Sequence, residues 1–241
     1  MSELIAEVSH KLLGLIKDNQ DAREDLSKKE REIENFIRDI LQGDKSWDFL
    51  GKSNLVPILF MDIVGYSKIP KDSDQKVAIE TLIEIVKQAL EEANYELDQV
   101  VSLPTGDGMC LCFNTGTDGP LIVAAKVQTL LTRKFKGQKR RIHVRMGIHS
   151  GNVLRIRDLK GSYNLAGAAI NISQRAMNCG DEGHILCTLD AYKIFKGMEG
   201  DYEKRLKPIK QPFTVKHGAR LRLYNYFCKD EGFGNYNEPS R

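Results

Sequence analysis

Cysteine is scarce and badly placed for chemistry: Cys110, Cys112, Cys179, Cys187 and Cys228 are odd in number, and no CxxC pair or Cys/His ligand spacing occurs. A zinc centre and a disulfide framework are therefore not expected. Long hydrophobic runs are also missing. The N-terminus, Met1-Ser2-Glu3-Leu4, is acidic early and leads into no signal-peptide core, and no window approaches a membrane span. Net charge is nearly absent, at +3 over 241 residues, so global electrostatics point neither to nucleic acid nor to a membrane surface. The local basic clusters, Arg133-Lys134-Phe135-Lys136 with Lys139-Arg140-Arg141, and Lys204-Arg205-Leu206-Lys207, lack the interleaved aromatics of a single-strand binder. The expectation is a cytoplasmic protein in a reducing compartment.

What the chain does have is 41% hydrophobic content, enough for one sizeable domain plus an appendage. Leu4, Ile5, Val8, Leu12, Leu15 and Ile16 recur at helical spacing. A second stripe follows with Leu26, Ile33, Phe36, Ile37, Ile40 and Leu41. Residues 1–44 therefore read as a helical, dimerising segment, followed by a linker. Residues 54–228 read as the main domain. The polar tail, 229–241, reads as mobile.

The domain begins with an unbroken apolar run, Leu55-Val56-Pro57-Ile58-Leu59-Phe60-Met61, which carries Asp62 into Ile63-Val64-Gly65-Tyr66-Ser67. Such a run predicts a buried strand ending on a charge. A lone buried carboxylate is costly, so Asp62 requires a cation, an arginine or a helix N-terminus beside it. A second acid, Asp107, lies in the turn Thr105-Gly106-Asp107-Gly108 between β-type residues, which predicts a hairpin. Two carboxylates on neighbouring strand ends would suit Mg²⁺ or Mn²⁺. Taken singly, Asp62 equally suits a helix cap and Asp107 an ordinary hairpin position.

Further along, helices are expected from Asp74 to Asn94 and from Pro120 to Phe135, a strand from Ile142 to Ile156 with a turn or bulge at Ser150-Gly151-Asn152, and a helix from Leu165 to Asn178. On that last helix Asn171 and Arg175 are four apart and share a face. An asparagine in mid-helix is not there for propensity, which marks the pair as polar site or solvated face. His143 and His149 have no partner at ligand spacing and read as strand-surface or pocket-wall residues. Phe213 to Gly218 and Arg220 to Phe227 read as a closing strand pair.

In this order, the strand ending in Asp62, the Asp107 hairpin and the Asn171/Arg175 helix resemble the catalytic domain of class III nucleotide cyclases, over roughly residues 54 to 195. The resemblance implies an α+β, ferredoxin-like (βαββαβ) domain with an N-terminal helical extension. It implies two Mg²⁺ or Mn²⁺ ions at Asp62, Ile63 and Asp107. Phosphate would bind around the main-chain N–H groups of Val64, Gly65, Tyr66 and Ser67, Asn171 would hold the ribose, and Arg175 the triphosphate. The closing hairpin's Lys216 would contact phosphates, with Arg220 as the other candidate. The family places the acids and the Asn/Arg pair on opposite sides of a dimer interface, so a homodimer with two equivalent sites is implied.

At the two base-reading positions the chain departs from the family. Adenylate cyclases carry Lys four residues before the second acid and Asp or Thr seven residues before the Asn, and guanylate cyclases carry Glu and Cys. Here those positions hold Leu103 and Asn164. Leucine cannot meet a purine ring nitrogen, while Asn164 offers a donor and an acceptor to uracil or cytosine. The departure resembles the bacterial Pycsar pyrimidine cyclases of antiphage defence, with UTP favoured over CTP as substrate. The rival expectations are an adenylate cyclase with unusual base readers, and an inactive cyclase-like module, which the joint presence of all four site residues disfavours.

Overall fold

The computed structural model describes Lys29 and residues 55–138, 141–159, 163–198 and 200–240. The helices and linker expected before residue 55 lie outside the described residues. From there the order is β1 (Leu55–Ile63), α1 (Asp72–Glu92), β2 (Val100–Pro104), β3 (Gly108–Phe113), α2 (Gly119–Lys134) and β4 (Val144–Asn152). This is the expected βαββαβ frame. It continues through β5 (Leu154–Arg157), β6 (Tyr163–Ala166), α3 (Ala168–Asn178), β7 (Ile185–Thr188), α4 (Leu189–Lys196), α5 (Tyr202–Arg205), β8 (Leu206–Pro208), β9 (Phe213–Thr214), β10 (Arg220–Leu221) and β11 (Leu223–Tyr226). Seven strands form one sheet in the order β2-β3-β1-β4-β7-β11-β8, while β5-β6 and β9-β10 are separate hairpins.

β1 is apolar up to Asp62 because it is covered on both faces. Leu59, Met61 and Ile63 pack with Leu82, Ile85 and Val86 of α1 and with Leu121, Val127 and Leu131 of α2. Ile58 and Phe60 point the other way and pack with Cys110, Cys112, Ala169 and Met177 under α3. Each fully buried aliphatic of this kind contributes about 1.5–3 kcal/mol. α2 opens with Pro120 in its first turn, where a missing N–H costs nothing. α4 is capped by Thr188, whose Oγ1 accepts from the Ala191 N–H.

Three sequence expectations change. The helix expected from Leu165 starts at Ala168, because Leu154 and Ile156 on β5 take Ala166 and Asn164 as strand partners and Gly167, at φ 151°, separates strand from helix. The long strand from Ile142 is split at buried Val153, and Ser150 to Asn152 stay paired with β1 rather than turning. The tail is fastened rather than loose. Asn235 N donates to Gly183 O at 2.8 Å, Asn225 Nδ2 to Asn235 O at 2.6 Å, and Ser240 N and Oγ to Asp181 at 2.7 and 2.9 Å.

Candidate active site

β1 runs antiparallel to both neighbours, so its last residues meet the first residues of β3 and β4. Asp62 pairs across the sheet with Gly108 on one side and Arg145 on the other. The Asp107 turn closes through Thr105 N to Gly108 O at 3.1 Å, and the Asp107 carbonyl accepts from Ile63 N at 3.0 Å. The hairpin comes this close because residue 108 has no side chain: a Cβ there would run into the Met61 carbonyl oxygen and stand 2.7 Å from Asp62 Cα. Both acids are thus brought to one edge, Asp62 buried and Asp107 half-buried.

The cation that a buried Asp62 demands is Arg145, a residue sequence reasoning did not single out. Its Nε donates to Asp62 Oδ1 at 2.8 Å and its Nη2 to Oδ2 at 2.9 Å, a two-pronged ion pair with side chains only 9% (Asp62) and 18% (Arg145) exposed. The Asp62 carboxylate raises the Arg145 pKa above its ordinary value; burial opposes this, and the charges of Asp107 and Asp181 add to it. Breaking one side of so dry a pair costs about 3–5 kcal/mol. A signal for Arg145 was present in the strand alternation: Val144, Met146 and Ile148 face the helices, so Arg145 faces the acids.

α3 crosses directly over β4. Ser173 Oγ donates to Gly147 O at 2.8 Å, and a Cβ on Gly147 would strike the Ser173 carbonyl and the Met177 N–H. On the outer side of α3, half-buried Arg175 and exposed Asn171 line a cavity of about 920 Å³ together with Lys210, Phe213, Lys216 and Glu238. Arg175, Lys210 and Lys216 give this cavity the basic character a polyphosphate requires. Lys210, absent from the sequence expectations, stands 3.7 Å from Glu238 of the tail. Lys216 sits in the turn between β9 and β10, whereas Arg220 is a β10 residue outside the cavity lining.

Asp62 and Asp107 do not line this cavity. Within one chain the acids and the Asn171/Arg175 pair therefore do not share this cavity.

The base-reading candidates lie on contacting elements. Leu103 is half-buried on β2, pairs across the sheet with Cys110 and packs against the apolar cluster beneath α3. Asn164 is half-buried on β6, which touches β2, and its Oδ1 accepts from Leu165 N at 2.7 Å. Tyr66 is half-buried and packs against the main core.

The turn after β1 is only partly as expected. Val64 N–H is already bonded to His143 O at 2.8 Å, so it has no donor to offer phosphate. The N–H groups of Gly65, Tyr66 and Ser67 donate to no backbone carbonyl among the described residues, since they form the first turn of a short 3₁₀ segment. His143 stands 3.6 Å from Glu182, and His149 is buried with Nδ1 2.8 Å from Thr188 Oγ1.

The donor set suits a hard divalent ion. Asp62, Asp107 and the Ile63 carbonyl are all oxygen donors; the Ile63 side chain is buried in the core, so only its main chain is available. Among the described residues no three His, Cys, Asp or Glu side chains converge. Two carboxylates with the remaining positions left to substrate phosphates and water is the pattern Mg²⁺ adopts at phosphoryl-transfer sites.

The fold agrees with that of similar proteins. Residues 51–229 match the family described as adenylate and guanylate cyclase catalytic domain. A guanylate cyclase of Toxoplasma gondii is 31% identical over 88 residues, a match that takes in 35% of this chain and 2% of that much longer protein. The guanylate cyclase domain of RhGC from Catenaria anguillulae, solved in complex with GTP, superposes with a TM-score of 0.61 at 20% identity, over 74% of this chain and 99% of its own. The adenylyl cyclase CyaB from P. aeruginosa superposes with a TM-score of 0.57 at 15% identity, over 73% and 95%.

Proposed function

Because the chain belongs to the adenylate and guanylate cyclase catalytic-domain family, we propose that it cyclises a pyrimidine nucleoside triphosphate, UTP before CTP, releasing pyrophosphate. The observation that carries the pyrimidine reading is Leu103: an apolar side chain packed against the apolar cluster beneath α3 has nothing to donate to or accept from a purine edge. Asn164 can meet uracil or cytosine with its amide. The role of the product as an alarm signal in antiphage defence rests on the resemblance to the pyrimidine cyclases.

In this reading the ribose 3′ oxygen bonds to the α-phosphorus, the bond to pyrophosphate breaks, and the hydroxyl proton leaves to solvent. Divalent ions at Asp62, Asp107 and the Ile63 carbonyl would acidify that hydroxyl and neutralise the leaving phosphates. Asn171 orients the ribose, which converts binding into alignment. Arg175 meets the charge that grows on the α-phosphoryl group, a contribution of roughly 3–4 kcal/mol for a preorganised donor. Lys216 and Lys210 hold the outer phosphates. The separation of the acids from the Asn171/Arg175 cavity supports a homodimer in which each site takes its acids from one chain and its Asn/Arg pair from the other.

A second reading is a purine cyclase, favoured by the relatives, which are named as guanylate and adenylyl cyclases. Incubating the protein with ATP, GTP, CTP and UTP together in the presence of Mn²⁺, then identifying cyclic products by mass spectrometry, separates the two. Cyclic UMP as the main product is expected; cyclic AMP or cyclic GMP alone would overturn the pyrimidine reading.

A further inference from the structure

Both oxygens of Asp62 are engaged by one guanidinium, Nε to Oδ1 and Nη2 to Oδ2, on a carboxylate that is otherwise buried. Behind it, Arg145 Nη1 points at the Gly180 carbonyl at 3.5 Å, and the charges of Asp107 and Asp181 hold the same cation in place. We propose that Arg145 and the divalent ion compete for Asp62, so that Arg145 acts as a positioning residue that keeps the nucleotide-free acids from loading metal. This rests on the reading of Asp62 and Asp107 as ion ligands.

The argument is steric and electrostatic. An ion of this kind sits about 2.0–2.2 Å from carboxylate oxygen, and a full positive charge already lies 2.8–2.9 Å from both oxygens. Two cations cannot share one buried carboxylate at those separations without strong repulsion in a poorly screened site. The ion therefore binds only when the guanidinium turns away. A planar five-donor cation leaving a carboxylate needs another anion, and the phosphates that accompany the ion are the matching one. Ion and triphosphate then favour each other's binding through the same side chain, and the coupling is reciprocal.

The test is Mn²⁺ binding to nucleotide-free protein, followed by the electron paramagnetic resonance of free Mn²⁺, for wild type, Arg145→Gln, Arg145→Lys and Arg145→Gln with Asp62→Asn. Arg145→Gln should bind Mn²⁺ at least tenfold more tightly than wild type. Its melting temperature, lowered in chelator, should rise more on adding Mn²⁺ than that of wild type. Arg145→Lys, which keeps the charge but loses the fork, should gain at least threefold and serves if the glutamine variant does not fold. Unchanged or weaker Mn²⁺ binding in the Arg145 variants overturns the competition. A double variant that keeps the tighter binding places the ion elsewhere and sinks the metal-site reading itself.

Discussion

Ser173 rests directly on the backbone of Gly147: its hydroxyl donates to the Gly147 carbonyl at 2.8 Å, and α3 lies on β4 where residue 147 lacks a Cβ. Gly147→Ala should therefore lift the helix that carries Asn171 and Arg175. The expected cost is about 1–3 kcal/mol in urea unfolding, with turnover falling further than stability because the two side chains leave their cavity. Wild-type turnover in a folded Gly147→Ala protein would show that the height of α3 does not matter.

If each site draws on two chains, two inactive variants should rescue one another. Asp62→Ala and Arg175→Ala, each folded and each reduced about 100–1000-fold or more, should regain about a quarter of wild-type turnover when mixed and allowed to exchange. Half of the dimers are then mixed, and each of those holds one intact site. No recovery after subunit exchange, shown by a tagged partner, would mean that each chain builds its site alone.

The identities at positions 103 and 164 should control the base. Leu103→Lys with Asn164→Asp restores the purine-reading pair of the adenylate cyclases, and the ratio of cyclic AMP to cyclic UMP should rise at least about tenfold. Competition between ATP and UTP, with products counted by mass spectrometry, reads this directly. An unchanged ratio would remove both residues from base recognition.

His149 should give the protein an acid-sensitive fold. Burial lowers its pKa, against an opposing pull from Asp190. The unfolded chain, titrating near 6.5, therefore binds the proton more readily than the folded one. Stability is full above about 6.5 and falls as the pH drops from there toward the folded value. Urea unfolding at pH 7.5 and 5.5 should show this loss in wild type and a smaller one in His149→Gln; parallel losses would assign it to other groups.

Much of this is legible in the amino-acid sequence. The unbroken apolar run into Asp62 reads as a buried strand, and the turn at Gly106-Asp107 sits beside its end because β3 pairs with β1. The need for a cation near Asp62 was readable from the cost of burying it. That Arg145 supplies it depended on register, because Arg145 is 83 residues away and only the Asp62–Arg145 pairing brings the two together. That Leu165 and Ala166 belong to a strand rather than to the helix is hidden for a similar reason, since their partners Arg155 and Leu154 lie in a hairpin whose pairing local propensity does not determine. The fastened tail looks loose in the sequence because its polar composition says nothing of Asp181, Gly183 and Asn225, which hold it.

The same distance along the chain governs how the protein regains its powers after denaturation. Helical turns in α1 and α2 need only near neighbours, whereas the acidic edge waits for closure of a loop of more than eighty residues, an entropic hurdle that slows its arrival. On dilution from urea, ellipticity should return ahead of turnover, and the lag between them measures how late the long-range docking of β4 occurs.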